Sequence, residues 1–240
     1  MEFWFELDGK SALHEEQNAI NNLQMQAYNV PTGNRRCFVC LFHRKERSDE
    51  RSTYMTVIID YGAGNIKSVE KALLSLGQEV VITDDADTIL NAERIILPGV
   101  GAFGNAMAQL EKTGLDEVIR EAVRRKIPFL GICLGLQILF EKSDEALGVK
   151  GLGVLKGEVK KIPAKKGLKI PHMGWNSLHF AHNGKLFQGI EEGAYVYFVH
   201  SYYLEAEEES IVKASAEYGV HIHASVEKEN VFACQFHPEK

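Results

Sequence analysis

From Met55 onward the chain repeats one unit: a short apolar run, a glycine-containing turn, then a stretch with helical periodicity. Val57-Ile58-Ile59-Asp60 is a strand-length run, and Tyr61-Gly62-Ala63-Gly64-Asn65 is a turn. Ile66, Val69, Leu73 and Leu76 then recur at three- and four-residue spacing, the mark of one apolar helix face, and Gly77 is a natural stop. Further strands are expected at 79–83, 94–97 and 128–132, and further helices at 103–110, 115–125 and 134–140. Strands alternating with helices across short turns predict a mostly parallel sheet covered by helices on both faces. After Gly148 the long helices stop. Runs at 152–162, 195–204, 211–217, 220–227 and 231–236 are expected to extend the same sheet in antiparallel fashion. The predicted class is α/β, an open sheet with an antiparallel extension.

Residues 1–54 show no such repeat. They hold an Asn- and Gln-rich stretch (18–25), a Pro31-Thr32-Gly33-Asn34 turn signal and a basic patch of Arg35, Arg36, Arg44, Lys45, Arg47 and Arg51. Too few apolar residues recur there to build a core, so this extension is expected to be disordered or to stem from a mis-assigned start, with Met55 as the natural first residue. One domain is expected over 55–240. Cys37-Phe38-Val39-Cys40 with His43 has zinc-like spacing, but a second Cys/His pair is missing and no metal site is expected. The formal net charge of −6 argues against a nucleic-acid partner. Four cysteines are too few for a disulfide framework. No apolar run reaches the ~18 residues of a membrane span, and the acidic start lacks the basic and apolar regions of a signal peptide. A cytoplasmic location without membrane contact is expected.

Open parallel sheets bind ligands at the carboxyl ends of their strands. Three such ends carry unusual residues. At Gly131-Ile132-Cys133-Leu134-Gly135 a strand runs straight into a helix, the layout of a nucleophile elbow with Cys133 at its apex. The flanking glycines are expected to let the backbone fold sharply and expose the sulfur, and the helix start favours thiolate. The plainer alternative is a packed core cysteine, the reading preferred for Cys234. After the strand 231–236 comes His237-Pro238-Glu239, which offers a base and a carboxylate to orient it. The Leu97-Pro98-Gly99-Val100-Gly101 loop can present backbone amides. An N–H of Val100 or Gly101, with that of Leu134, is expected to form an oxyanion hole. The turn at 61–65 faintly suggests a phosphate loop but lacks the spacing and the lysine. The alternation in His221-Ile222-His223 suits a solvated strand face.

Gly131-Ile-Cys-Leu-Gly-Leu-Gln137 together with His237-Pro-Glu239 resembles the class I (triad) glutamine amidotransferases. Within that class Asp60–Asn65, Leu97–Phe103, Pro171–Asn176 and Tyr197–Tyr202 resemble the glutaminase subunits of imidazole glycerol phosphate synthases, across 55–240. The resemblance implies a flavodoxin-like fold and no cofactor. It implies that Cys133 attacks the side-chain amide of glutamine, with His237 as base and Glu239 orienting it. Gln137, His200, Ser201, Tyr202 and Gly101 match glutamine-binding positions. Asn65, Trp175 and Tyr197 match positions facing the partner or the ammonia exit. That partner is a (β/α)8-barrel cyclase subunit forming a heterodimer. In such pairs the glutaminase stays nearly silent until the partner binds its nucleotide, and a reorienting 98–101 peptide would be a physical cause. Family members continue beyond the His-Pro-Glu motif into a closing helix, so the chain ending at Lys240 is expected to be less stable and less active than a longer form. Two alternatives remain open: the glutaminase of another synthase, such as that making pyridoxal phosphate, and a non-catalytic flavodoxin-like binding module.

Overall fold

β-Branched residues dominate the strands at 55–59 and 79–83, where branched side chains pack well on a pleated surface. The computed structural model describes residues 55–62, 65–181 and 184–240, and the expectations for 1–54, the Cys37–His43 cluster among them, lie outside the described residues. Strands β1 (Met55–Ile59), β2 (Glu79–Thr83), β3 (Arg94–Leu97) and β4 (Phe129–Ile132) are parallel, β1 lying between β2 and β3 and β3 pairing with β4. Beyond β4 come β12 (Val231–Cys234), β11 (His221–Lys228) and β10 (Val212–Glu217). β12 is parallel to β4, while β11 and β10 each run antiparallel to their neighbour. The seven-stranded order is β10-β11-β12-β4-β3-β1-β2. This is the α/β sheet with an antiparallel extension that the sequence pattern predicts.

The side-chain period of two divides the core. Val57, Ile59, Ile95, Leu97 and Phe129 point to one face, where helices α3 (Phe103–Thr113) and α4 (Leu115–Arg124) bring Phe103, Met107, Leu110 and Ile119. Ile58, Ile96 and Leu130 point to the other face, with Val69 and Leu73 of α1 (Ile66–Ser75). A short α2 (Ala86–Leu90) was not apparent from periodicity; Asp85 starts it by accepting the Thr88 N–H at 2.8 Å.

Two of the five late runs leave the main sheet. β6 (Gly157–Lys161) lies between β5 (Lys142–Ser143), to which it runs parallel, and β9 (Tyr202–Ala206), to which it runs antiparallel, in a three-stranded sheet. β8 (Tyr195–His200) pairs with β7 (His172–Ser177). The expected strand 195–204 is thus broken at Ser201, and its two halves serve different sheets. His223 also departs from the solvated reading. It is buried, and its Nδ1 accepts the Ala206 N–H at 3.0 Å, whereas His221 is exposed. Among the described residues no helix is long and apolar enough to cross a membrane.

Candidate active site

β4 and α5 (Leu134–Ile138) meet at Cys133, whose backbone is left-handed in φ (55°, ψ −108°). Such a conformation is costly for a residue with a side chain and clusters at functional sites. The glycines around it act by size. A side chain on Gly135 would collide with the Leu97 carbonyl, and a Cβ on Gly131 would stand 2.7 Å from the Gly135 oxygen. They let β3, β4 and α5 touch backbone to backbone. Cys133 itself is only 8% exposed, so the expected exposed sulfur is instead a nearly buried one opening into a cavity. The helix behind it is a mere five residues, which limits its dipole.

Parallel pairing explains why distant motifs meet. Cys234 of β12 lies opposite Ile132 of β4, and the Cys133 N–H continues the ladder to the Cys234 carbonyl at 2.8 Å. Both strands therefore release their next residues at the same end of the sheet. His237 arrives there, its own N–H bonded to the Tyr197 carbonyl at 2.9 Å. Its Nδ1 lies 2.9 Å from Glu239 Oε1. A carboxylate only accepts, so Nδ1 carries the proton and Nε2 is left for Cys133. Nε2 is buried without a hydrogen bond of normal geometry. Burial lowers the imidazole pKa, but the Cys133 sulfur and the Glu239 carboxylate outweigh it and push it up to about 10. Asn65 Nδ2 donates to the same Glu239 oxygen at 2.9 Å, and the Glu239 side chain is 1% exposed.

A cavity of about 370 Å3 opens over this centre. Cys133, His237, Leu134, Val100, Gly101, Gln137, His200, Ser201 and Tyr202 all line it, so the sequence-predicted catalytic, oxyanion and substrate residues apart from Glu239 share one wall. Glu145, which lies outside every quoted motif, completes it with Pro171 and Val199, which lie within two of them but had no assigned role. The Leu134 N–H is engaged by the Gly99 carbonyl at 3.3 Å. Gln137 turns its amide inward, donating to the Tyr202 carbonyl at 3.1 Å and to Gln235 Oε1 at 2.9 Å. His200 donates through Nδ1 to the same Tyr202 carbonyl at 2.8 Å, and its Nε2 meets His172 Nδ1 at 2.9 Å. Burial holds the pKa of each of these two histidines down to about 4, so both are neutral at pH 7. His172 had no expected role. The Tyr61 hydroxyl is buried without a partner, and burial together with charge at Cys133 pushes its pKa well above the ordinary value.

Asn65, Trp175 and Tyr197 separate by environment. Asn65 faces Glu239, whereas Trp175 is 53% exposed and packs edge-on against its cross-strand neighbour Tyr197 at 5.8 Å. Among the described residues no group of three or more His, Cys, Asp or Glu is arranged to hold a metal ion.

Residues 57–240 match the family model of class-I glutamine amidotransferases. The chain belongs to that family. It is 54% identical over 183 residues to the imidazole glycerol phosphate synthase subunit HisH of Moorella thermoacetica, covering 76% of this chain and 86% of that protein. It is 52% identical to HisH of Aquifex aeolicus, covering 77% and 89% of the two chains. Among solved structures, a glutamine amidotransferase shares the fold at TM-score 0.61 and 19% identity over 76% of this chain and 90% of that one. PurLQS from Thermotoga maritima does so at 0.59 and 24% over 78% and 88%. The amidotransferase fold thus underlies the cavity, and the HisH-like identity extends over about three quarters of the chain.

Proposed function

We propose that the protein is the glutaminase subunit of an imidazole glycerol phosphate synthase in histidine biosynthesis. The observation that carries this reading is identity of about half to HisH subunits over about three quarters of this chain.

Glutamine enters the cavity with its side-chain amide at Cys133. The Cys133 sulfur attacks the amide carbon, and a sulfur–carbon bond forms. His237 is protonated at neutral pH beside the thiolate, and Nε2 gives its proton to the departing nitrogen as the carbon–nitrogen bond breaks. Ammonia leaves and a glutamyl thioester remains. Water then adds to the thioester, passing its proton to His237, and the sulfur departs as glutamate forms. Glu239, held by Asn65, keeps the Nδ1 proton in place through both steps.

The Leu134 N–H serves the oxyanion only after the Gly99 carbonyl lets go of it. Rotation of the 99–101 backbone releases it and turns a Val100 or Gly101 N–H toward the cavity. Gly101 already has a φ of 103°, which only glycine adopts easily. The partner fitting this chemistry is a (β/α)8-barrel cyclase that consumes the ammonia to form imidazole glycerol phosphate and an aminoimidazole carboxamide ribotide. The exposed face of the β7–β8 hairpin, with Met173, Trp175 and Tyr195, is the apolar surface such a partner would cover. The test is to mix the purified chain with a HisF-type cyclase and its nucleotide substrate. The reading expects a stable pair and glutamate release that rises by at least about tenfold on nucleotide binding, a modest coupling. Absence of both association and stimulation contradicts it.

A further inference from the structure

A buried amide outside every predicted motif touches the nucleophile. Gln235 is fully buried between β12 and His237, with its backbone N–H on the Ala224 carbonyl at 2.9 Å. Its side-chain nitrogen lies 3.7 Å from Cys133 Sγ, and its side-chain oxygen lies 2.9 Å from Gln137 Nε2. The direction of these bonds follows from chemistry. The Tyr202 carbonyl can only accept, so the Gln137 atom 3.1 Å from it is the NH2 group. The Gln235 atom facing that NH2 is therefore the oxygen, and the atom facing sulfur is a donor. We propose that Gln235 is a positioning residue for the reaction, its N–H aimed by Gln137 so that it stabilises the Cys133 thiolate over the thiol.

A donor to sulfur favours the charged form, because a thiolate accepts hydrogen bonds far better than a neutral thiol. Burial strengthens the effect, since no water competes for the amide. The other titratable groups near the sulfur are His237 with Glu239 behind it and Tyr61, with His200 and Glu145 further along the cavity wall. Of these only His237 is a cation at neutral pH, so Gln235 supplies a neutral donor that does not depend on the protonation of His237.

The inference rests on Cys133 acting as a thiolate, as proposed above, and its test needs neither glutamine nor the cyclase. Alkylation of Cys133 by iodoacetamide is followed against pH in the full chain, by peptide mass spectrometry, with melting temperature beside it. Gln235→Met keeps the volume and loses the donor. Gln235→Glu keeps an acceptor for Gln137 and points a carboxylate oxygen at the sulfur. The expected result is a reaction midpoint about one pH unit higher in Gln235→Met, with alkylation about tenfold slower at pH values below the wild-type midpoint, and a larger shift in Gln235→Glu. Should both lose their fold, Gln137→Met frees the Gln235 amide without removing it, and a smaller upward shift is expected. Midpoints equal to wild type in the folded variants overturn the proposal. A shifted midpoint without glutamate release in the complex refutes the glutaminase reading alone.

Discussion

Glu239 Oε1 receives two donors, His237 Nδ1 and Asn65 Nδ2, each at 2.9 Å, while its second oxygen is buried without a partner. A carboxylate held this way depends on both bonds for its orientation. Asn65→Ala leaves it with one, and steady-state kinetics of the complex should show kcat lower by about tenfold with KM little changed, from the loss of a hydrogen bond to a charged group. An unchanged kcat would show that His237 alone fixes the carboxylate. Cys133, His237 and Glu239 were legible in the sequence because each sits in a short motif at a strand end. Gln235 was not, because its partners Gln137 and Cys133 are about a hundred residues away and meet it only through β4–β12 pairing. One signal was present: an amide inside the apolar run Val231–Phe236 has to find a buried partner.

At the scale of elements, the contact of β3, β4 and α5 depends on glycines that have no room for a side chain. Gly135→Ala sets a methyl against the Leu97 carbonyl and should cost about 3 kcal/mol or more. Gly148→Ala carries only the penalty of its φ of 84°, since nothing lies within 4 Å of its Cβ position, and should cost about 1 kcal/mol. Comparable thermal melts of the two variants would contradict this account of the elbow. The first four strands and the helices α1, α3 and α4 could be read from periodicity, because each pattern is local. Residues 195–204 could not be divided correctly. Their apolar character runs on through Ser201, and only the tertiary partners, β7 for one half and β6 for the other, separate them. β7 escaped notice because Gly174 and Asn176 have poor strand propensity, although its pairing with β8 puts His172 opposite His200.

At the scale of the whole molecule, buried neutral histidines couple the fold to pH. The pKa values of His172 and His200 in the folded state, about 4, lie below the ordinary value of 6.5. The unfolded chain therefore binds protons first on acidification. The stability these groups provide is fully present above pH 6.5 and is lost as pH falls toward 4, the direction also given by the lowered pKa of buried His223. Melting temperature should fall between pH 7 and pH 4.5, and by less in His172→Phe, which keeps an aromatic ring between Phe198 and Tyr218. An equal fall in both would place the acid sensitivity elsewhere. The fold also joins the chemistry to the surface proposed for a partner: the β7–β8 pair that exposes Trp175 also holds His237 through the Tyr197 carbonyl. The claim on which everything else depends is that Cys133 carries the glutamyl group. Its most direct test is glutamate release from glutamine by the chain paired with the cyclase and its nucleotide substrate, in wild type and Cys133→Ala, with acid-quenched samples searched for a glutamyl adduct. The account predicts an adduct on Cys133 in wild type and no release above background in the variant; glutamate release that survives Cys133→Ala would contradict it.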